Sequence, residues 1–371
     1  MNKKQLDFLA IGDITTDAFI RLKDAEVHCK IKSEECELCV RFGDKIPYES
    51  VTVIRAVGNS PNATVATSRL GLTSGLVANL GNDENGKECH AVLKREKVAT
   101  DLLTIHKGKE TNYHYVLWYG ADRTILVKHQ AYEYSLPNFS APKWLYLSSL
   151  GSGTETYHEK IAEYLQKNPE VRFAFQPGTF QIALGAEKLS ALYRRAEVFV
   201  CNVEEAKKIL ESVIPPLQKE VAHSDETEDL NPSPHQSEVP ARTGTGGLPL
   251  GKGEVKILLQ KMQALGPKIV IITDGPKGAY GLDETGAWFQ PIYPDPKPPL
   301  ERTGAGDATA STFVAMLILG KSPREALRYA LANAMSVVQE IGAQKGLLTL
   351  PALQKLLAEA PQNYSPQSLQ G

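Results

Sequence analysis

The chain has 371 residues, 42% hydrophobic and 23% charged, and its 41 basic and 43 acidic side chains leave a formal charge of −2. That length buries a substantial core in one large or two modest domains. The near-balance of charge gives no reason to expect nucleic acid or an acidic membrane surface as a partner.

The N-terminal stretch MNKKQLDFLAIGDITTDAF contains an apolar run bracketed by Asp7 and Asp13 that is too short for a signal-peptide core. No later run approaches a membrane span, so a cytoplasmic protein is expected. DFLAIGD is the first of a series of apolar runs, followed by WLYLSSL, VRFAFQP, EVFVCN and KIVIITDG. Each reads as a strand buried on both faces, and helical patterns at His158–Gln166, Ala186–Arg195 and Glu204–Glu211 separate them. The alternation predicts a three-layer α/β/α domain with a mostly parallel central sheet over residues 1–355, followed by a flexible tail at 356–371.

Two stretches break the alternation. Ala25–Ala56 and Thr111–His129 are rich in β-branched and aromatic residues and lack a helical period. They predict a smaller β-sheet from segments at about 20–56 and 108–132, acting as a lid or a dimer-forming surface. Within the first stretch, Cys36 and Cys39 have C-x-x-C spacing, but no second pair supplies the other ligands of a zinc site. The five cysteines, an odd number, argue against a disulfide framework, so reduced thiols on alternating faces of a strand are expected.

From about 215 to 253 the chain is rich in Pro, Ser, Glu and Gly, with few large apolar residues to repay ordering. It reads as a disordered insertion. GGLPLGK at Gly246–Lys252 imitates a phosphate loop but has Gly253 where Ser or Thr is needed, and no strand precedes it. RTGTGG at Arg242–Gly247 has no helix after it.

LERTGAGDATASTFVAMLILG, at Leu300–Gly320, differs from that decoy. Asp307 opens an apolar helix that stops at Gly320, and Gly304-Ala305-Gly306 lies at its first turn. First-turn amides lack intrahelical acceptors and carry partial positive charge, so small residues there let an anion approach. Asp307 reads either as a base for an attacking hydroxyl or as an acidic residue that satisfies a helix N-terminus.

TGAGDA before an apolar helix resembles the signature of the ribokinase-like (PfkB) carbohydrate and nucleoside kinases, and further motifs follow the order of that family. IGDITTDAFI resembles its first strand and turn, with Asp17 at the position that binds substrate hydroxyls. AVGNSPNATVATSRLG resembles its glycine-rich substrate motif, with Gly58, Asn59 and Asn62 in matching places and Val57 where a first glycine is usual. NLGNDENGKE carries the Gly81, Asp83 and Gly86 spacing. VFVCNVEEAKKIL contains Asn-x-x-Glu as Asn202 and Glu205, which implies magnesium organised around the nucleotide phosphates, through water. KIVIITDGPKGAYGL resembles the strand and loop over the nucleotide, with Thr273, Gly275 and Gly278. ALANAMSVVQEIGAQKGL resembles the segment that closes the adenine pocket, making Asn333 a nucleotide contact.

The resemblance implies a ribokinase-like fold, ATP and Mg2+, Asp307 as base, Gly304, Ala305 and Gly306 as anion hole, and a sugar as acceptor. A nucleoside, stacked on Phe42, Tyr48, Tyr113, Tyr115 or Trp118, and a sugar phosphate are the alternatives; a non-catalytic ligand sensor is the alternative of another class. A homodimer through the lid is a further expectation. Glu301-Arg302 stands where the family has Asp-Thr or Asp-Pro, which counts against the monovalent cation that some members bind there. Arg302 is a candidate phosphate contact, and Gln176, in FQPGTFQI, another.

Overall fold

The computed structural model describes residues 5–29, 36–120, 122–213 and 251–369. The insertion expected at about 215–253, with both of its glycine-rich decoys, lies almost wholly outside the described residues; the last positions of GGLPLGK fall at the start of a helix.

The chain opens with β1 (Phe8–Ile11), then β2 (Thr15–Leu22), β3 (Glu26–Cys29), β4 (Cys36–Cys39) and β5 (Tyr48–Val57). Next come α1 (Asn59–Arg69), β6 (Ser74–Gly81), α2 (Glu84–Arg95), β7 (Leu103–His106), β8 (Asn112–Tyr119) and β9 (Asp122–Leu126). The middle of the chain supplies β10 (Trp144–Leu147), α3 (Glu155–Lys167), β11 (Arg172–Phe175), α4 (Thr179–Leu184), α5 (Ser190–Arg195), β12 (Val198–Asn202) and α6 (Val203–Glu211). After the insertion follow α7 (Lys252–Gln263), β13 (Ile269–Thr273), β14 (Gly278–Asp283), β15 (Gly286–Pro291), α8 (Ala305–Ile318), α9 (Pro323–Val337), α10 (Leu350–Ala358) and β16 (Gln367–Ser368).

The main sheet runs β16-β15-β14-β13-β12-β11-β10-β1-β6-β7. It is parallel from β13 to β7 and antiparallel at the β14, β15 and β16 edge. Because side chains alternate along a strand, Phe8 and Ala10 point into one apolar layer with α1, α8 and α9, whereas Leu9 and Ile11 point into the other with α3, α6 and α7. Two cores flanking one sheet make the three-layer α/β/α architecture. α8 is apolar all round and buried from Asp307 to Leu317, as a helix enclosed by neighbours must be. It stops where expected, with Gly320 in the left-handed region at φ +83° and the Lys321 amide bonded to the Met316 carbonyl.

A second, four-stranded sheet, β5-β2-β8-β9, stands beside the main one. It takes in Thr15–Leu22, which the sequence pattern placed with the first strand and turn. A separate antiparallel pair, β3-β4, is joined by a Cys29–Cys36 disulfide, so the expectation of reduced thiols fails for this pair. Two cysteines opposite each other in an antiparallel pair are within bonding reach, and that pairing was hidden by the attention drawn to Cys36-x-x-Cys39; Cys39 stays a thiol.

The flexible tail also needs correction. Gln367–Ser368 pairs with β15, Tyr364 is buried with its hydroxyl donating to the Arg328 carbonyl, and Leu369 is buried beside Ala287. The Ala186–Arg195 helix shortens to α5, because Gly185 and the turn after it intervene.

Candidate active site

The parallel strands all end along one edge of the main sheet, and α8 begins there. Gly304 caps α8 in the left-handed region at φ +83°, and a Cβ on it would stand 2.3 Å from Ala343 Cβ. Both facts demand glycine. At Gly306 a Cβ would meet nothing within 4 Å, so the space above that amide is open. The Ala305 amide reaches only the Arg302 carbonyl, at 3.5 Å. The first turn of α8 is thus an accessible set of amides at a positive helix end.

The loop ahead is pinned by Glu301. Its buried carboxylate accepts from the Thr303 amide at 2.7 Å and the Gly342 amide at 2.8 Å, tying the approach to α8 to the turn after α9. Arg302 acts on Asp295, where burial raises the carboxyl and both Gln339 and the Arg302 charge oppose it.

Asp307 sits in that first turn with both carboxylate oxygens hydrogen-bonded and one acceptor site on Oδ2 left over. Asn59 Nδ2 donates to Oδ1 at 2.7 Å, Asn62 Nδ2 to Oδ2 at 2.8 Å, and Gln176 Nε2 to Oδ1 at 3.2 Å. Asn59 and Asn62 are three residues apart and so share a face of α1. Gly58 admits that helix, since its φ is +118° and a Cβ would meet the Asp13 carbonyl at 2.7 Å. The donors are themselves held: Gln344 Nε2 donates to Asn62 Oδ1 at 2.9 Å, and the Tyr146 hydroxyl bonds Gln176 Oε1. Burial raises the Asp307 carboxyl above the usual aspartate range, while Asn62, Asn59, Gln176 and the Arg123 charge work against that rise.

Asp307 opens on a cavity of about 400 Å3 between the two sheets. Asp13, Asp17, Gly58, Asn59, Asn62, His114 and His129 contribute its polar lining, and Phe19, Ile125, Val127 and Phe180 its apolar lining. Asp13 accepts from the Tyr134 hydroxyl and the Gly151 amide, both at 2.7 Å. Asp17 Oδ1 is buried without a hydrogen bond; His114 Nδ1 stands 3.4 Å away. An aspartate with an unmet acceptor facing a polar cavity suits a ligand hydroxyl.

At the neighbouring strand ends, Asn202 pairs in register with Thr273. Asn202 caps α6 reciprocally: its Oδ1 accepts from the Glu205 amide and Glu205 Oε2 accepts from the Asn202 amide, each at 2.8 Å. Burial raises the Glu205 carboxyl, the Asn202 amide offsets part of that, and the Asp307 charge adds to it. Gly275 and Gly278, with φ +51° and +124°, form the turn after Thr273. Asn333 is placed elsewhere. It is fully buried, donates to Thr312 Oγ1 at 2.8 Å and accepts from the Leu348 amide at 2.9 Å, so one half of its amide ties α9 to α8 and the other holds the segment after α9.

A divalent ion fits this donor set as a lightly held guest. The Asp307 charge raises the Glu205 carboxyl, and Glu205 Oε1 is not used by the α6 cap. Among the described residues no cluster of three or more His, Cys, Asp or Glu side chains forms a metal cage. Hard oxygen ligands, few from protein and the rest from phosphate and water, are what magnesium accepts.

Several site residues were not singled out from sequence. Asp13, Tyr134, His114, His129 and Phe180 line or support the cavity, but they come from separate loops, a strand and the start of α4, and no shared motif marks them. None of Phe42, Tyr48, Tyr113, Tyr115 or Trp118 lines it. Tyr113 and Tyr115 alternate with His114 and face away, and Trp118 lies under Arg21. A larger groove of about 950 Å3 between α3 and α5 contains none of the residues above.

Comparison with known proteins gives a consistent result. The profile described as pfkB family carbohydrate kinase matches residues 24–230 and 250–350. A 5-dehydro-2-deoxygluconokinase of Bacillus subtilis (strain 168) is 21% identical over 327 residues, spanning 83% of this chain and 89% of that protein. Ribokinase from Cryptococcus neoformans var. grubii serotype A, solved in complex with ADP, superimposes with a TM-score of 0.68 at 22% identity over 94% of this chain and 98% of that one. Arabidopsis thaliana ribokinase, complexed with ribose and ATP, gives 0.70 at 17% identity over 95% and 99%.

Proposed function

The chain belongs to the pfkB family of carbohydrate kinases and is a phosphotransferase that acts on an alcohol group; from that premise we propose that it transfers the γ-phosphoryl group of ATP to a hydroxyl of a sugar bound against Asp307. The observation that carries this reading is Asp307 itself, a buried carboxylate aimed by three amide side chains, beside open helix amides and at the floor of a polar cavity.

The chemistry follows from those positions. The acceptor hydroxyl gives its proton to Asp307 as its oxygen attacks the γ-phosphorus, and the bond from that phosphorus to the bridging oxygen breaks, so that ADP leaves. The Gly304, Ala305 and Gly306 segment offers amides to charge on the transferring group. Asp17, Asn59 and Asn62 position the acceptor, with Gly58 allowing the approach. Thr273, Gly275 and Gly278 bound the nucleotide, with Asn333 supporting from behind. Asn202 and Glu205 would hold magnesium, which when bound neutralises phosphate charge. The four-stranded sheet acts as a lid that excludes water, favouring transfer over hydrolysis.

A sugar is favoured over a nucleoside because none of Phe42, Tyr48, Tyr113, Tyr115 or Trp118 lines the cavity, whereas carboxylates and amides suit polyol hydroxyls. The outer face of that sheet exposes Val51, Val53, Tyr115 and Leu126, a row that supports a homodimer through it. The test is ADP release from ATP with a panel of sugars and nucleosides, with and without Mg2+. Turnover of a sugar that depends on the metal supports the reading; ligand binding with no turnover on any acceptor favours a sensor.

A further inference from the structure

The cavity-facing side of the small sheet carries a cation for which the phosphoryl-transfer scheme has no use. Asp17 pairs with His114, Phe19 with Val116 and Arg21 with Trp118 across β2 and β8; Val116 pairs with Ile125 and Trp118 with Arg123 across β8 and β9. Paired residues share a face, and alternate residues along a strand share it too. Asp17, Phe19, His114, Ile125, Arg21 and Arg123 therefore stand on one side, and the first four line the Asp307 cavity.

Two arginines flank Trp118 at the far end of this face, in different circumstances. Arg21 is occupied: its Nε is 3.0 Å from Glu49 Oε2, and its guanidinium lies over the Trp118 ring at 4.8 Å. Arg123 pairs with no carboxylate among the described residues, and its Nε is buried without a hydrogen-bond partner. A buried donor left unmet is unfavourable unless a ligand meets it. Arg123 shares its face of β9 with Ile125, which lines the cavity, and its charge reaches Asp307. Nearer the floor, His114 Nε2 is likewise buried and unmet, with the His129 ring 5.3 Å away. The cavity is thus graded along its length. Asp17 and His114, in register with one another, lie toward the root of the sheet, and the unmet Arg123 Nε lies toward its far end.

We propose that the acceptor is an acidic sugar, one bearing a carboxylate or a phosphate ester, and that Arg123 together with His114 forms the receptor for its anionic group. This deepens the kinase reading and rests on it, because the cavity is taken as the acceptor site. The guanidinium fork suits either anion through paired N–H bonds, while Asp17 engages hydroxyls near the end that receives the phosphoryl group. A rival placement would put Arg123 on the transferring phosphoryl group itself.

The test compares gluconate, glucose 6-phosphate and glucose on the full chain, native and as Arg123→Gln and Arg123→Lys. Acceptor affinity is read by calorimetry without nucleotide, with thermal melts to confirm that each variant is folded. The native chain is expected to bind one of the two acids at least about tenfold more tightly than glucose, and the preferred acid identifies the anion. Arg123→Gln should lower that acid-to-glucose ratio about tenfold or more, and Arg123→Lys should lower it less. Three results overturn the proposal: no binding of either acid, a ratio unchanged in Arg123→Gln, or a parallel fall for acid and glucose. Initial rates on the same samples keep the two readings apart, since acid-selective binding without turnover counts against the kinase assignment alone.

Discussion

At the scale of single residues, Asp307 is under two opposed pressures. Burial favours its protonated form, and three amide donors favour the carboxylate, with burial the stronger. A base must be ionised to accept the acceptor's proton, so a raised pKa moves the acid limb of activity upward. The expected kcat/KM profile falls on acidification with a midpoint above about 3.9, the ordinary aspartate value; a profile flat from pH 7 to about 4 would speak against this assignment. Gln176 shows what residue patterns conceal. Its proline-bounded loop drew attention from sequence, but its bond to Asp307 depends on β11 ending beside α8, and no local pattern encodes that adjacency. Asp13 and His114 were missed for the same reason: an aspartate in a turn and a histidine in a strand are ordinary there, and only the meeting of two sheets gives them a common cavity.

Among the elements, α8 is the most demanding. Gly304 and Gly306 are two residues apart yet answer to different constraints, so their alanine variants should separate. Gly304→Ala places a side chain in the left-handed region at about 1–2 kcal/mol, with a further penalty from Ala343, and should lower the melting temperature by several degrees. Gly306→Ala meets nothing and should melt like the native chain, while the added methyl group crowds the phosphate approach and lowers kcat/KM for ATP. Equal melting temperatures for the two variants would contradict this.

The start of β1 offers a second case. Asp7 accepts from the Thr73 amide and hydroxyl and pairs with Lys143 at 2.8 Å, linking the entries to β1, β6 and β10. Burial opposes ionisation, but Lys143 and Thr73 win and lower its pKa from 3.8 to about 2. A depressed carboxyl contributes its stability above the unfolded value and loses it as pH falls through the folded one. Denaturant unfolding should therefore find Asp7→Asn less stable than native above about pH 4, with the gap closing toward pH 2. The apolar strand runs and the α8 pattern were legible because a buried parallel strand and a buried helix write their periods directly into sequence. The Cys29–Cys36 link and the docked C-terminus were not, since both depend on which segments lie opposite one another.

At the scale of the whole molecule, the segment from Tyr364 to Leu369 packs back on the main sheet. β16 covers the β15 edge, and Tyr364 and Leu369 each bury a large side chain worth about 1.5–3 kcal/mol. Ending the chain after Ala360 should lower unfolding stability by about 3 kcal/mol or more, read from denaturant midpoints, whereas a loose tail would cost nothing. The small sheet and the main sheet enclose the cavity jointly, which makes the site a property of the assembled fold and not of any one motif. The central claim is that Asp307 takes the acceptor's proton. It is tested most directly by single-turnover phosphorylation of a sugar found to be a substrate, comparing the native chain with Asp307→Asn under saturating ATP and acceptor. A loss of roughly 10²–10⁴-fold or more in rate with acceptor binding retained is the predicted result, and a variant that turns over at the native rate would contradict the assignment.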